Sequence, residues 1–506
     1  MISALTNALA TLFTPNCLIA LMVGTVGGMF IGAMPGFSAV MGVSLLLPVT
    51  FSMDPAAGLV MLVALYTLAI YGGSITAILC CTPGTPASAA TSLDGYPLTQ
   101  QGRGMEAVGV ATLASMIGGL VGAIALLTIA PALGQFALKF SAIEYALVAL
   151  FGLTVIGSLA GENMLKGLCS GVIGVLIGTM GLDSLTGLPR FTFGNIYLED
   201  GLQTAAAMIG LFSLAQVLNI AVNIYAGQTK IVLGDGSGAK MKGLALPKGR
   251  EFAEIIPHMI RASVIGTIIG IMPAAGSGVS SWVNYSTAKK FAKHPEKFGK
   301  GSFEGIAASE AGNNAACGGA LVPLITLGVP GSGVTAILLG GMTIHGLVPG
   351  AEMFTTHLNT TYTIMLGYLI ANILFAVIGM LIAPYVARVA LVPMGYLGPI
   401  IIAVGTLGVY AIHSSYAEVL MMLAFGFVGF IMKKCGFAPS PMILGIVLSR
   451  IAEDNLRRAM ILSRGDMLGY ILGRPISIVL IVLCVVSLFS PVLMRYVNKK
   501  SRTAAK

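Results

Sequence analysis

Charged residues are scarce in this sequence, and their scarcity decides the class of protein. Asp, Glu, Lys and Arg make up only 9% of the 506 residues, whereas 56% are hydrophobic. A soluble chain carries roughly 25% charged residues, so this composition excludes an ordinary soluble fold. A membrane-spanning helix needs about 20 apolar residues, and stretches of that length recur along the chain. We therefore predict an all-α polytopic membrane protein with about 12 transmembrane helices.

Motifs for ATP hydrolysis and for catalysis are absent as well. The sequence contains no GxxxxGK[ST] loop, no HExxH zinc pair and no GxSxG nucleophile elbow. Its seven cysteines have the spacing of neither a metal site nor a disulfide framework. We expect no enzyme activity and no cofactor, so energy for any transport would come from an ion gradient or from another subunit.

The net charge of +9 does not indicate a nucleic-acid partner. The basic residues gather in loops and in the C-terminal tail, which is where the positive-inside rule places them on the cytoplasmic side of a bilayer. We therefore expect the lipid bilayer, and no nucleic acid, to be the environment of this chain. The C-terminus is predicted to be cytoplasmic.

A Gly-rich, basic segment divides the chain near its middle. We assign residues 1–226 to a first membrane repeat, 227–256 to a basic cytoplasmic linker and 257–506 to a second membrane repeat. The sequence GMFIGAMPG at 28–36 resembles GTIIGIMPA at 266–274, and CCTPGTPAS at 80–88 resembles LGVPGSGVT at 327–335. Matches in the same order in both halves indicate an internal duplication.

Charge predicts that the two repeats are inverted. The loop after the first of these motifs contains Asp54 and no cation, whereas its counterpart contains five lysines between residues 289 and 300. The second loop should therefore be cytoplasmic and the first should not. Inverted repeats with re-entrant or broken hairpins are typical of secondary transporters.

Pro-Gly pairs interrupt the apolar runs of both repeats. In hydrocarbon a broken helix leaves backbone groups unpaired, and such a break survives where protein, water or a ligand satisfies them. A half-helix that begins after a break offers free N–H groups to an anion, and carbonyls before it suit a cation such as Na⁺. The alternative is an ordinary proline kink or a loop at the membrane face. The predicted binding residues of these runs are Pro35, Gly36, Ser74, Pro83, Gly84, Pro330, Gly331 and Ser332, with 273–278 as the counterpart of the first pair.

A second polar feature is EGIAASEAGNNAACGGA at 304–320. Glu310, Asn313 and Asn314 lie within about one helical turn of each other, and polar side chains in an apolar run default to a functional role. The two amides with the carboxylate could ligate Na⁺, or Glu310 could carry a proton. The alternative for Glu310 is a solvated position at the start of a helix beside the lysine-rich loop.

These motifs together resemble the large permease subunit of the tripartite tricarboxylate transporters. The resemblance rests on GTVGGMFIGAMPGFSAVMGVSLLLPVTF, YGGSITAILCCTPGTPASAATSLDGYPLTQQGRG, the segment from Glu304 to Gly350, and PSPMILGIVLSRIAEDNLRRAMILSRGD. One departure is Ser449-Arg450, where a small Gly-Pro-like pair is expected.

The resemblance implies a secondary active importer of organic carboxylates in the bacterial cytoplasmic membrane, driven by Na⁺ or H⁺. It also implies two partners, a small membrane subunit and a periplasmic solute-binding protein that delivers the substrate. Elevator-like movement is a further hypothesis. The alternatives are an uncoupled anion channel or uniporter with the same fold, an intramembrane enzyme and a membrane scaffold.

Overall fold

The computed structural model of the chain describes residues 2–34, 37–159, 164–183, 186–226, 246–273, 275–389 and 394–487. Apart from a two-stranded antiparallel pairing of β1 (Gly181–Leu182) with β2 (Pro189–Arg190), the regular elements of these residues are helices. The first helices are α1 (Ile2–Leu12), α2 (Pro15–Ala33), α3 (Ala39–Leu46), α4 (Pro55–Cys80), α5 (Ala89–Gln100), α6 (Gly104–Ala137), α7 (Ala142–Leu159), α8 (Met164–Gly178), α9 (Thr204–Met208) and α10 (Ala215–Tyr225). A π-helical segment, Ile209–Leu214, joins α9 to α10.

The remaining helices follow the segment predicted to be a linker, most of which lies outside the described residues, as does the lysine-rich C-terminal tail. They are α11 (Arg250–Ile271), α12 (Gly276–Phe291), α13 (Phe303–Leu327), α14 (Gly333–Ile344), α15 (Leu358–Val389), α16 (Met394–His413), α17 (Tyr416–Lys434), α18 (Pro439–Leu462), α19 (Met467–Leu472) and α20 (Pro475–Ser487). Within the described ranges, seven helices are long and apolar enough to cross a membrane, and six further apolar helices are shorter. The chain is a polytopic, helical membrane protein.

Two long helices, α4 and α13, cross antiparallel at the centre of the molecule. Near the start of α4, Leu59 and Val63 line the same small gap as Leu321 and Ile325 from the end of α13. Near the other end of α4, Ser74 bonds a residue from the first half of α13. Both helices are buried over nearly their whole length. At 1.5 Å per residue, each spans roughly 38 Å, which exceeds the hydrocarbon thickness of a bilayer.

Small residues let α2 pack closely against α4, and the same contact recurs between α11 and α13. A Cβ at Gly28 or Gly32 would overlap the backbone of α4 at Leu65 or Ala69. A Cβ at Gly266 or Gly270 would overlap the backbone of α13 at Gly312 or Ala316. Backbones that approach this closely are typical of helix interfaces in membranes. The two glycines of each pair are four residues apart, and so are the two residues that they contact on the partner helix. The two helix packings therefore have the same register.

Two reversals of the chain direction follow from this packing. After α2 reaches Ala69 of α4, α3 returns toward the start of α4, where Leu47 lies with Leu59 beside Gly341. In the same way α12 returns along α13, because Ser280 donates a hydrogen bond to the carbonyl of Gly312 (2.7 Å). Both turns therefore lie about halfway along the central helices. The predicted site residues Pro35 and Gly36 lie outside the described residues.

The Pro-Gly breaks at 83–84 and 330–331 have a different geometry. After α4 ends in the left-handed residue Cys81, the chain folds back until the N–H of Gly84 bonds the carbonyl of Gly73 (3.3 Å). After α13 ends at Gly328, it folds back until Gly331 lies beside Ala320. The short helices α5 and α14 then start deep in the molecule rather than at its surface.

Candidate functional site

A buried carboxylate joins four helices at the centre of the molecule. Glu310 of α13 is fully buried, so the alternative of a solvated helix start is wrong. Its Oε1 accepts hydrogen bonds from Ser74 of α4 (2.7 Å), from Thr91 of α5 and from Asn313 (3.2 Å). Its Oε2 accepts a hydrogen bond from Ser115 of α6 (2.9 Å). The carboxylate therefore accepts hydrogen bonds only from neutral donors, and these donors come from α4, α5, α6 and α13 itself.

Within the described part of the chain, no cationic side chain pairs with Glu310. The ion pairs found there involve other acids, such as Glu106, Asp183 and Glu144. Burying a charge without a counterion is costly, even when hydrogen bonds compensate for part of the loss of water. A carboxylate in this setting is stabilised either by binding a proton or by a cation that comes close to it. Glu310 is thus chemically suited to an ion-dependent step.

Acceptor oxygens without partners lie in the same region. Asn313 and Asn314 use their amide N–H groups on Glu310 and on the carbonyl of Ser115 (3.2 Å), and both side-chain oxygens remain buried and unpaired. The hydroxyl of Tyr66 lies beside Cys317 and Ser332 without a hydrogen bond of normal geometry to either. Unsatisfied buried polar atoms are rare in native proteins. Neutral oxygen ligands of this kind suit a hard cation such as Na⁺.

The second break presents the N-terminus of α14. Ser332 caps this helix, since its Oγ accepts the N–H of Thr335 (3.3 Å) while the Thr335 hydroxyl accepts the N–H of Ser332 (2.8 Å). Ser332 is only half-buried, so its face of the helix end is accessible. A capped helix leaves other N–H groups of its first turn free, and those groups favour an anion.

The first break is arranged similarly. Thr85 and Ser88 form a capping box at the start of the helical segment that leads into α5, with the N–H of Thr85 donating to Ser88 Oγ (3.3 Å). Gly84 packs so closely on the end of α2 that a Cβ would overlap the carbonyl oxygen of Gly32. Pro83 and Pro86 are exposed, although the N–H of Gly84 pairs with the carbonyl of Gly73 well inside α4.

The start of α12 connects the two breaks. A Cβ at Gly276 would lie 3.8 Å from Cβ of Ser332, and a Cβ at Gly278 would lie 3.9 Å from Cβ of Pro86. The two breaks therefore flank a third helix N-terminus, which follows the segment 273–278 that the sequence paired with Pro35 and Gly36. The start of α3 is also close, because Val40 lies 3.3 Å from the Cβ position of Gly333.

The structure thus divides the sequence-predicted residues into two groups. Ser74 joins Glu310 and Asn313 in the buried polar cluster beside Asn314, whereas residues of the two breaks lie against the start of α12. The sequence analysis missed Thr91 and Ser115, which bond both carboxylate oxygens. Thr91 lies among other polar residues of α5, and Ser115 lies in the apolar α6, so neither sequence context distinguishes the hydroxyl that bonds Glu310.

A second acid, Asp94, holds α5 to the lysine-rich loop. This residue is fully buried, and its Oδ1 accepts the backbone N–H groups of Gly299 (2.7 Å), Gly301 (3.0 Å) and Ser302 (2.9 Å). Nearby Arg103 bonds Glu251 (2.7 Å) at the start of α11, and this carboxylate raises the pKa of the Arg103 guanidinium above its usual range. These contacts connect the two halves of the chain at the loop before α13.

Comparison with known families identifies the chain at this point. The profile described as "Tripartite tricarboxylate transporter TctA family" matches residues 18–444, which include both breaks and the whole polar cluster. The chain belongs to the TctA family. TctA proteins are the large membrane component of tripartite tricarboxylate transporters and not enzymes.

Two relatives in Agrobacterium vitis extend the match. The protein described as "Uncharacterized 52.8 kDa protein in TAR-I ttuC' 3'region" is 35% identical over 472 residues, covering 93% of this TctA chain and 92% of the relative. The "Uncharacterized protein in TAR-II ttuC' 3'region" is 33% identical over 201 residues, covering 40% of this chain and 83% of the relative. No solved structure matches the chain.

Proposed function

We propose that this TctA protein imports an organic carboxylate, of the tricarboxylate class or close to it, by ion-coupled alternating access. The observation that carries the proposal is the meeting of three helix N-termini beside a buried, cation-free carboxylate cluster. The membership in a transporter family supports the same conclusion independently.

The carboxylate substrate would bind between the two breaks. The break segments 81–88, 272–278 and 328–333 contain no charged residue. The anion would therefore be held by main-chain N–H groups of α5, α12 and α14 and by the hydroxyls of Thr85 and Ser332. Backbone dipoles that are fixed by the fold can bind an anion. Unlike an arginine, they leave no uncompensated buried charge when the anion is released. This property suits a site that must empty in every cycle.

The coupling ion would bind next to the substrate, either as a proton on Glu310 or as Na⁺ on the free oxygens of Asn313 and Asn314. Tyr66 links the two positions, because its hydroxyl lies beside Ser332 at the second break and beside Cys317, one turn from Asn313. A cation there would offset the negative charge of the substrate. Each ion would then favour binding of the other, which is the requirement for symport.

We propose further that the protein consists of two inverted repeats, residues 1–226 and 257–506, joined by a basic cytoplasmic linker. The matching packing of α2 on α4 and of α11 on α13, together with the antiparallel crossing of α4 and α13, supports this arrangement. Elevator-like movement of the part that carries the re-entrant turns would expose the site to alternate sides. About 12 crossings remain our prediction.

The lysine-rich loop before α13 would face the cytoplasm of a bacterial cell, as would the C-terminus. The opposite face, where α13 ends, would then receive substrate from a periplasmic binding protein. A small membrane subunit would complete the tripartite assembly. Both partners follow from the tripartite nature of the family rather than from contacts in this chain.

The test is uptake of radiolabelled citrate into proteoliposomes that contain this protein and its small subunit, with the binding protein outside. We expect accumulation above the external concentration only when a Na⁺ or a proton gradient is imposed. Uptake that merely equilibrates, at the same rate with and without either gradient, would replace this proposal with an uncoupled uniporter of the same fold.

A further inference from the structure

A cavity lies on the face of the molecule where α13 ends. It has a volume of about 380 Å³ and is enclosed by α7, the end of α13, the segment before α15, and α18. Its floor is Leu327 and Gly328, the residues immediately before the second break. This cavity is therefore separate from the substrate site but contacts the same break.

The lining of the cavity has one cationic group in otherwise largely apolar walls. Phe140, Val348 and Leu448 supply apolar surface, and Arg458 of α18 lies at the rim with Asn455 one turn before it. Arg458 is exposed and takes part in no ion pair within the described residues, unlike Arg457, which bonds Asp183 (2.8 Å) and a further acid of α18.

We propose that this cavity is an accessory binding site for a small carboxylate with an apolar or aromatic body. The carboxylate would pair with the planar fork of Arg458, and the apolar body would lie against Phe140 and Leu448. Glu352 also lines the cavity and would repel a second negative group on the ligand. The site thus selects monocarboxylates over citrate, the opposite preference from the transport site.

Occupancy of the cavity would act on the second break. Gly328 adopts a left-handed conformation (φ 69°), and the carbonyl of Ile325 accepts the N–H of Gly350 (3.0 Å) on the far wall. A ligand between α7, α18 and Gly328 would hold these segments together and slow any movement of the break. This effect on uptake rests on the proposed transport cycle, whereas binding to the cavity does not.

Binding of radiolabelled benzoate to the purified protein in nanodiscs of zwitterionic lipid tests the site directly, with empty nanodiscs as background. We expect Arg458→Gln to weaken benzoate binding about tenfold, as loss of a charged hydrogen-bonded pair does. Val348→Trp, which fills the mouth at a position 46% exposed, should weaken it as well. Arg464→Gln, an exposed arginine of the following turn that does not line the cavity, is the matched control and should leave binding unchanged.

Three results would overturn the inference. They are benzoate binding that survives in Arg458→Gln, displacement of benzoate by citrate at equal concentration, and loss of binding in nanodiscs that contain phosphatidylglycerol. The last result would assign the cavity to an anionic lipid. Because the assay measures binding without any gradient, it can succeed or fail independently of citrate uptake.

Discussion

Replacing Glu310 separates its structural role from its proposed role in ion coupling. Glutamine has nearly the same shape as glutamate but does not ionise, whereas alanine removes every acceptor. In Glu310→Gln the amide oxygen can still accept from Ser74 and Thr91, and the amide N–H can donate to the hydroxyl of Ser115. We therefore expect this variant to fold at a cost of about 1 kcal/mol.

The alanine variant should be far less stable. Ser74, Ser115 and Asn313 would each lose the acceptor that they use in the structure, while Thr91 retains a bond to Ser309 (2.9 Å). An unsatisfied buried donor costs about 1–3 kcal/mol, so three of them give at least about 3 kcal/mol of destabilisation. The cavity left by the deleted side chain adds to this cost.

Stability and coupling need separate measurements. Heating in detergent followed by size-exclusion chromatography should rank the proteins as wild type, then Glu310→Gln, then Glu310→Ala well below both. In proteoliposomes, Glu310→Gln should retain exchange of internal for external citrate but lose accumulation driven by the coupling gradient. Exchange needs only the substrate site, whereas accumulation needs the ion.

Two results would refute this reasoning, and they refute different parts of it. If Glu310→Gln accumulates citrate as well as the wild type, Glu310 only connects helices and the coupling ion binds elsewhere. If Glu310→Ala is as stable as the wild type, the four hydrogen bonds contribute little and the description of the buried cluster is wrong.

Further predictions concern the breaks, the loop contact and the cation site. Gly84→Ala should lower expression and thermal stability, because the added Cβ would overlap the carbonyl of Gly32. Gly331→Ala should fold, since its Cβ would come no closer than 3.4 Å to any neighbour. Equal thermal stability of the two variants would contradict this. Asp94→Asn should destabilise the protein by about 1–3 kcal/mol, because a neutral amide is a weaker acceptor for three backbone N–H groups, and unchanged heat resistance would argue against that role. Asn314→Leu should raise the Na⁺ concentration needed for half-maximal citrate uptake if Na⁺ is the coupling ion, and an unaltered Na⁺ dependence would place the ion elsewhere.

Local physics made several features predictable from the sequence. Low charge and long apolar runs indicate membrane helices, and Pro-Gly pairs within them indicate breaks, because both effects depend on neighbouring residues only. Glu310 and its two asparagines are conspicuous polar groups in an apolar run, and the structure buries all three. The glycines at 28 and 32 recur at 266 and 270, and this repeat indicated the internal duplication.

Tertiary contacts account for what the sequence could not reveal. Thr91 and Ser115 belong to the cluster because α5 and α6 lie against α13, and a lone hydroxyl in a helix more often bonds its own backbone. The uncharged run before residue 94 allowed either two crossings or one crossing with a re-entrant turn. In the structure it forms one long helix and a fold-back into α5, since Gly84 pairs with Gly73 rather than turning at the surface.

The duplication explains the scaffold but not the chemistry, which resides mainly in the second half. Pro83 and Pro330 are 247 positions apart, and at that offset Val63, Tyr66 and Thr67 correspond to Glu310, Asn313 and Asn314. The antiparallel crossing of α4 and α13 places Tyr66 beside Cys317, whereas Thr67 bonds Asn372 of α15 (3.4 Å). A carboxylate at position 63 would be buried beside Leu321 and Ile325, at a high cost in desolvation. Retaining the acid in one repeat leaves a single titratable or cation-binding position between two similar anion-binding breaks.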